Sequence, residues 1–412
     1  MHILLIISNY FPPEIGAAAH LFFYLGKELV SMGHKVTVLT GIPRYNVPAE
    51  LYRKFLQIEN LVEYYEGMKI VRTKLPLIDR NNKIRRGIEH FEISSKLFRQ
   101  GLNYLDKDID TAIVYSPPLT LYKTAIRLGR RIGFPTILNV QDLFPQSVVD
   151  LGMMNSKILK SIFYKLEYKA YKKVDHITVH SSSNADYVKQ VIGDIKPVSI
   201  IENFIDIDEI TPGSKENSFS ITHNLSGKFI VSFAGTLGYS QDIDVIVNTA
   251  SKIDNEDILF LIIGDGVQKN KLLSEINNKT LKNLKWLPMV PKEDYPSVLH
   301  SSDISLVTLI EDVKTPTVPS KIISIMASGV PVIASINLNG DAAKLIEESR
   351  AGYVISAGNA DEMVKKILEL YNDPEKRLIM GRNGREYVEK KLSSKIAAKR
   401  YLDISKTIKN KR

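Results

Sequence analysis

Apolar and polar positions along the chain fall into a repeating pattern: a run of four to six β-rich apolar residues, a loop of small residues, then an amphipathic stretch. In the first half the runs are "ILLII", "KVTVLT", "KIVRT", "TAIVYS", "PTILNV", "HITVH" and "VSII". Continuous apolar runs alternating with amphipathic segments predict parallel sheets covered by helices. The pattern breaks at residues 203 to 227, where polar and turn-forming residues lack periodicity and mark a linker. It resumes with "KFIVSFAGTLG", "ILFLIIGDG", "LKWLP", "ISLVTLI", "PVIASI" and "GYVIS". Both series open alike, so the economical reading is an α/β protein of two doubly wound, Rossmann-like domains facing each other across a cleft. The boundaries this sets are 1–203 for the N-terminal domain, 204–227 for the linker and 228–385 for the C-terminal domain. A basic, helix-forming tail follows over 386–412, expected to pack across the domains.

Length agrees with this reading, since 412 residues are too many for one ordinary core and suit two domains of about 200 residues each. Hydrophobic content of 44% and charged content of 25% belong to a soluble globular protein. The absence of cysteine excludes a disulfide framework and thiolate metal sites. No signal-peptide pattern is visible at the start, and no stretch approaches the roughly 20 apolar residues needed to cross a bilayer. A net charge of +9 favours an anionic partner: nucleic acid, a phosphorylated small molecule or an acidic membrane surface.

Candidate chemistry sits in the small-residue loops. In an open parallel sheet ligands collect at the carboxyl ends of strands, where helix N-termini offer unpaired N–H groups and partial positive charge. The stretch "NYFPPEIGAAAHLF" fixes its backbone with Pro12 and Pro13, and Gly16, Ala17, Ala18 and Ala19 keep side chains away from a ligand approaching the amides. A tight strand-to-helix connection without a ligand would look the same. A dinucleotide cofactor is disfavoured, because G-x-G-x-x-G is absent and the second strand ends without an acidic residue. Gly235 and Gly238 in "FAGTLGYSQDID", Gly264 and Gly266 in "IIGDG", and "TPTVPSKIISIMASG" supply three further openings. Together they suggest a nucleotide diphosphate, with Ser320 and Lys321 giving a hydroxyl and a cation at a helix start, although Lys321 could equally be a surface lysine.

These residues resemble the retaining nucleotide-sugar glycosyltransferases of family 4, which have the GT-B fold. The likeness runs through "SNYFPPEIGAAA", "GHKVTVLTG", "VQDLFPQS", "IENFID", "AGTLGYSQ", "IIGDGVQKNKL", "VPKEDYPSVLHSSDISLVTL", "VPSKIISIMASGVPVIAS" and "AGYVISAGNADEM". Within the family it most resembles the subgroup adding fucosyl or N-acetylfucosaminyl residues in bacterial capsule and O-antigen assembly. The resemblance implies that the C-terminal domain binds the nucleotide sugar and the N-terminal domain the acceptor. Gly16 and Ala17 would meet the donor phosphates. Gly238 and Gln241 would line the diphosphate, Gly264 and the segment of Val290 and Pro291 would lie near the base, and Tyr239 and Asp265 complete the donor-binding set. Pro319 and Ser320 open the helix carrying Lys321. The family's Glu-x7-Glu pair is replaced here by Pro316 and Ser324, and the Arg and Lys that usually grip the diphosphate after the Gly-rich strand are missing, with Tyr239 and Asp242 standing in "GTLGYSQD". Asp341 is therefore the candidate for the ribose and Lys321 for the phosphates.

The resemblance also implies a same-face displacement, in which the leaving diphosphate takes the acceptor's proton and the enzyme's contribution is mainly electrostatic. Asp142, in "NVQDLFP", is the candidate catalytic residue, orienting the acceptor or offsetting charge on the sugar. Its neighbour is Gln141 where many relatives have histidine, and a strand-end aspartate can instead cap a helix. Asp-Ile-Asp triplets at 108, 206 and 242 lie in ordinary places for aspartate, and His34 and His180 lack neighbours at ligand spacing. No metal and no cofactor are expected. The stretch 157–173 places Ile158, Ile162, Leu166 and Ala170 on one helical stripe backed by lysines, the pattern of a core-facing helix. With "RNNKIRRG" at 80–87, those lysines could also hold a cytoplasmic protein on the inner face of an anionic membrane, at about 1 kcal/mol per basic residue. Nucleic-acid binding has no motif to support it. Two alternatives keep the architecture: a nucleotide-sugar 2-epimerase, which would change a donor without an acceptor, and a non-catalytic sugar-nucleotide-binding protein.

Overall fold

A computed structural model describes residues 1–14, 17–44, 47–59, 61–76, 83–150, 152–313 and 316–411. The chain forms two units, Met1–Ile205 with Ser394–Arg412, and Asp206–Ser393. The first contains strands β1 (His2–Ile6), β2 (Lys35–Gly41), β3 (Val62–Tyr65), β4 (Met68–Thr73), β5 (Thr111–Ser116), β6 (Thr136–Val140), β7 (His176–Val179) and β8 (Val198–Ile200). The second contains β9 (Phe229–Ala234), β10 (Ile258–Ile263), β11 (Leu284–Leu287), β12 (Ile304–Thr308), β13 (Val332–Ile336) and β14 (Gly352–Ser356).

Each of the thirteen strands expected from the apolar runs is present. Their residues are buried on both faces, as in β1, β5, β6, β12 and β13, because helices cover the two sides of a parallel sheet. The first sheet runs β3-β4-β2-β1-β5-β6-β7-β8 and the second β11-β10-β9-β12-β13-β14. Strand order therefore reverses between β1 and β5 in one and between β9 and β12 in the other, and such reversals open the crevices where doubly wound sheets bind ligands. β3 is the added strand. It is antiparallel to β4, and its turn, Glu66-Gly67, has positive φ at both residues, the geometry of a two-residue hairpin. Tyr64 and Tyr65 are exposed, so β3 is a polar edge without the apolar run that announces the others.

Residues read as linker contain a short helix, Ser218–Thr222, whose Asn217 side chain accepts from the Phe219 and Ser220 amides in a capping box. Phe219 and Leu225 pack with Ile230, Leu261, Ile263 and Val298 of the second unit. At the C-terminus, helix Pro374–Lys391 belongs to the second unit and helix Ser394–Lys409 to the first. The latter buries Tyr401, whose hydroxyl accepts from Asn139 Nδ2 at 2.8 Å, and pairs Arg400 with Glu202 and Lys409 with Asp110.

The helix Lys157–Lys173 corrects the expectation of a core-facing stripe. Leu166 and Ala170 are buried, but Ile158 is 74% and Ile162 50% exposed, so only the C-terminal half packs inward.

Candidate functional site

At the carboxyl edge of the second sheet, the loops after β9 and β10 are tied together by backbone. The Gly235 amide donates to Ile263 O and the Leu237 amide to Asp265 O, each at 2.9 Å. The approach is so close that a Cβ on Gly264 would stand 1.9 Å from Gly235 O, and one on Gly266 2.5 Å from Leu237 O; φ is +157° and +152° at the two positions. Only glycine satisfies both demands. Sequence reasoning missed Gln268, which lacks a motif of its own. Its Nε2 donates to Gly238 O at 2.5 Å and Gln241 O at 2.9 Å, fixing the loop that carries Gly238, Tyr239 and Gln241. Tyr239, at 73% exposure, projects from that loop.

The loop after β12 leads into helix Ser320–Ala327, with Pro319 at its N-cap position and Ser320 exposed at its first residue. The first amides of such a helix have no intrahelical partner and carry partial positive charge. One residue on, Lys321 Nζ donates to Gln241 Oε1 at 3.0 Å and lies 3.8 Å from the centroid of the Phe233 ring. It also stands 3.2 Å from where a Cβ on Gly235 would be. Among the described residues no carboxylate lies within ion-pair distance of it. Burial lowers its pKa from the usual lysine range to about 7. The residue as a whole keeps partial exposure, while its ammonium is held against protein. The switch point between β9 and β12 thus gathers Gly235, Gln241 and Lys321.

The other sequence-derived residues lie at the same edge. Asp265 accepts from the Gly266 amide at 2.7 Å and approaches Lys269 at 3.5 Å. Val290, past the end of β11, packs against the cluster of Ile230, Leu261 and Ile263, and Pro291 precedes a short 3-10 turn. Asp341 is buried at the first position of helix Asp341–Ser349, after β13, with Lys344 at 3.8 Å. Ser324, at the second Glu position of the family pattern, hydrogen-bonds Tyr295.

In the first unit Gly16 lies outside the described residues, and Ala17 opens helix Ala17–Ser31. The preceding loop is held by a buried polar network. The Asn9 amide donates to both oxygens of Glu14 at 3.0 and 3.1 Å, and the Arg44 backbone N–H donates to Glu14 at 2.7 Å. The Arg44 guanidinium pairs with Glu89 and donates to Asn9 Oδ1 at 3.1 Å. Arg72 pairs with Glu63 at 2.6 Å and donates to Pro12 O at 2.5 Å.

Asp142 follows β6. It is exposed, and among the described residues its carboxylate has no hydrogen-bonding partner, which removes the helix-cap reading for this residue. The surrounding protein nevertheless limits its hydration and raises its pKa above the usual carboxylate range. Gln141 beside it donates to Asn139 Oδ1 at 3.0 Å, and its carbonyl lies 3.1 Å from Nε2 of buried His180. Asp108 and Asp106 form a cluster with His2, but Lys35 pairs with both, at 3.2 and 3.0 Å, and Lys69 with Asp106 at 2.9 Å. Asp242 caps helix Ile243–Lys252, and Asp206 accepts from the Asp208 amide. His34 Nδ1 lies 3.1 Å from the terminal amine. Of "RNNKIRRG", residues 80–82 lie outside the described residues.

Two α/β units with parallel sheets and ligand-type loops at their switch points define a GT-B architecture. Sucrose-phosphate synthase from Thermosynechococcus elongatus superposes over 100% of both chains, at a TM-score of 0.78 and 15% identity. HepE from Anabaena, solved with UDP and glucose, superposes over 99% of this chain and 100% of its own, at 0.71 and 13%. Residues 16–209 match the family model described as Glycosyltransferase Family 4, and residues 214–387 the model described as Glycosyl transferases group 1. The chain belongs to the glycosyltransferases whose two halves these models describe. It is 25% identical to the probable glycosyltransferase WbjE of Pseudomonas aeruginosa, over 68% of this chain and 70% of that protein. To the putative colanic acid biosynthesis glycosyl transferase WcaI of Escherichia coli K12 it is 21% identical, over 98% and 99%. These similarities do not favour the epimerase alternative.

Proposed function

We propose that the protein is a retaining glycosyltransferase moving a sugar from a UDP-linked donor to a lipid-linked or cell-surface glycan, without a divalent ion. The observation that carries this reading is Lys321, a cation with no carboxylate partner among the described residues, set between glycine-rich backbone and a helix start at the switch point of the second sheet. Charge building on a leaving diphosphate would be met there by Lys321 and by the first amides of helix Ser320–Ala327. Asp341 would hold the ribose. Asp142, at a strand end of the first unit and without a hydrogen-bonding partner among the described residues, would orient the acceptor hydroxyl. The N-acetylated deoxyhexose suggested by the fucosyl-type resemblance is the donor sugar tested first.

Relatives support the substrate class. One, 26% identical over 53% of this chain, is a UDP-Gal:alpha-D-GlcNAc-diphosphoundecaprenol alpha-1,3-galactosyltransferase of Escherichia coli, and HepE was solved with UDP. No described helix is long and apolar enough to cross a membrane. Helix Lys157–Lys173, however, exposes Ile158, Leu159 and Ile162 beside lysines, which suits attachment to an anionic membrane surface on the cytoplasmic side.

A thermal-shift panel of UDP-, GDP- and dTDP-sugars tests the donor, with stabilisation expected from the UDP series. Transfer to a lipid-linked acceptor should then survive a chelator and give product of the donor's anomeric configuration. Asp142→Asn should lower kcat by about tenfold to a hundredfold and leave UDP affinity unchanged. Sugar altered by the enzyme in donor-only incubations, or no transfer with any UDP-sugar, would refute the reading.

A further inference from the structure

In the first unit, helices Lys83–Tyr104, Leu121–Ile132 and Lys157–Lys173 bound a cavity of about 280 Å³. It runs along the flank of Leu121–Ile132, and none of the residues assigned above to donor or acceptor lines it. Its lining is distinctive for its charge. Lys123, Arg127, Arg130 and Lys173 all border it, and among the described residues no acidic one does. Among the described residues none of the four is in an ion pair. The cations are instead braced by aromatic rings: Lys123 Nζ lies 4.9 Å from the Phe91 centroid, and the Arg127 guanidinium 3.7 Å from that of Phe98. Burial makes the Lys123 ammonium less favourable, and the neighbouring charges of Lys169 and Lys173 add to the effect.

Four unmatched cations around one cavity repel one another, and that repulsion is relieved when an anion enters. Two arginines favour an oxyanion that can be gripped by paired N–H groups, which is the geometry of phosphate. Phe91 and Tyr122 give the same cavity an apolar wall. Its volume falls just below the range of about 300–1,000 Å³ that accommodates drug-sized ligands, so it suits a phosphorylated head rather than a whole nucleotide sugar. We propose that this cavity binds a phosphorylated ligand carrying two or more negative charges, its phosphate or diphosphate among Lys123, Arg127, Arg130 and Lys173 and its apolar part against Phe91 and Tyr122. The ligand is either the headgroup of an anionic lipid or a soluble phosphate ester. The proposal does not rest on the transferase reading.

Calorimetric titration of the full chain with inorganic pyrophosphate tests it against variants in both units. A saturable site should persist in Lys321→Gln and weaken at least tenfold in Arg127→Gln/Arg130→Gln. Both arginines are exposed side chains, so the double variant should keep its Tm, and Lys173→Gln provides an independent variant at the other wall. Co-sedimentation with phosphatidylglycerol vesicles, against phosphatidylcholine, separates the sources. Vesicle binding lost in the double variant identifies a lipid headgroup, whereas pyrophosphate binding without vesicle binding identifies a soluble ester. Pyrophosphate affinity equal in the wild type and in both cavity variants, or absent altogether, overturns the proposal.

Discussion

The carboxyl edges of the two sheets handle positive charge in opposite ways. In the first unit Arg44 and Arg72 are almost fully buried and each is matched by a carboxylate, Glu89 and Glu63, with Glu14 taking further hydrogen bonds. Most of their donors go to Asn9 and to the carbonyls of Pro12, Gly41 and Pro76, with Arg44 Nε left without a partner among the described residues, so the charge is used to hold a shape. In the second unit the loops hold their shape through glycine backbone and Gln268, and Lys321 is left without an acidic partner among the described residues. The difference separates a scaffold from a binding site: a cation that is internally neutralised has little left for a ligand, whereas one held unpaired is poised for an anion.

The largest expected effect breaks the scaffold. Arg44→Met should strand Glu89 and lower stability by about 3–5 kcal/mol, read as a lower denaturation midpoint, because removing one partner leaves a buried charge uncompensated. UDP affinity of the folded variant should be unchanged. Lys321→Met should act the other way round. Transfer should fall by about 10²–10³ in kcat, the cost of losing one preorganised donor to a developing oxyanion, while the protein becomes more stable at low pH. The sign follows from a folded pKa near 7, depressed from 10.5. Between those values the unfolded chain binds more protons, so wild-type stability rises with pH across that window, and the substitution stabilises most below about pH 7. Thermal melts at several pH values give the comparison directly. The smallest effect should come from Gln268→Leu, which removes two hydrogen bonds from the Gly238 loop, each worth about 0.5–1.5 kcal/mol net. It should raise the KM for donor with a smaller change in kcat, since Gln268 positions the loop that would contact the donor.

Much of this contrast was legible in the chain. Apolar runs placed thirteen strands because both faces of a parallel sheet are buried, and the loops of Gly235, Gly264 and Ser320 were visible because small residues and helix starts leave a local signature. β3 was not, since an exposed edge has no apolar run to show. Gln268 carries no motif, and its role emerges only when the loop after β10 folds against that after β9. The pairing of Arg44 with Glu89 spans 45 positions and has no local trace. Helix Lys157–Lys173 misled because periodicity reports which residues share a face and not whether anything covers it; Ile158 and Ile162 share the stripe of Leu166 but remain open to solvent.

Lys321 at the β9/β12 reversal, with no carboxylate partner among the described residues, is the group proposed to meet the donor's diphosphate. Calorimetric affinity for UDP-glucose, whose diphosphate has no proton to lose near neutrality, measured from about pH 6 to 9 in the wild type and in Lys321→Met, tests it most directly. Affinity in the wild type should weaken as pH rises through the pKa of about 7, and the variant should bind weakly at every pH. Equal affinity in the two proteins, or a wild-type affinity that does not change with pH, would contradict it.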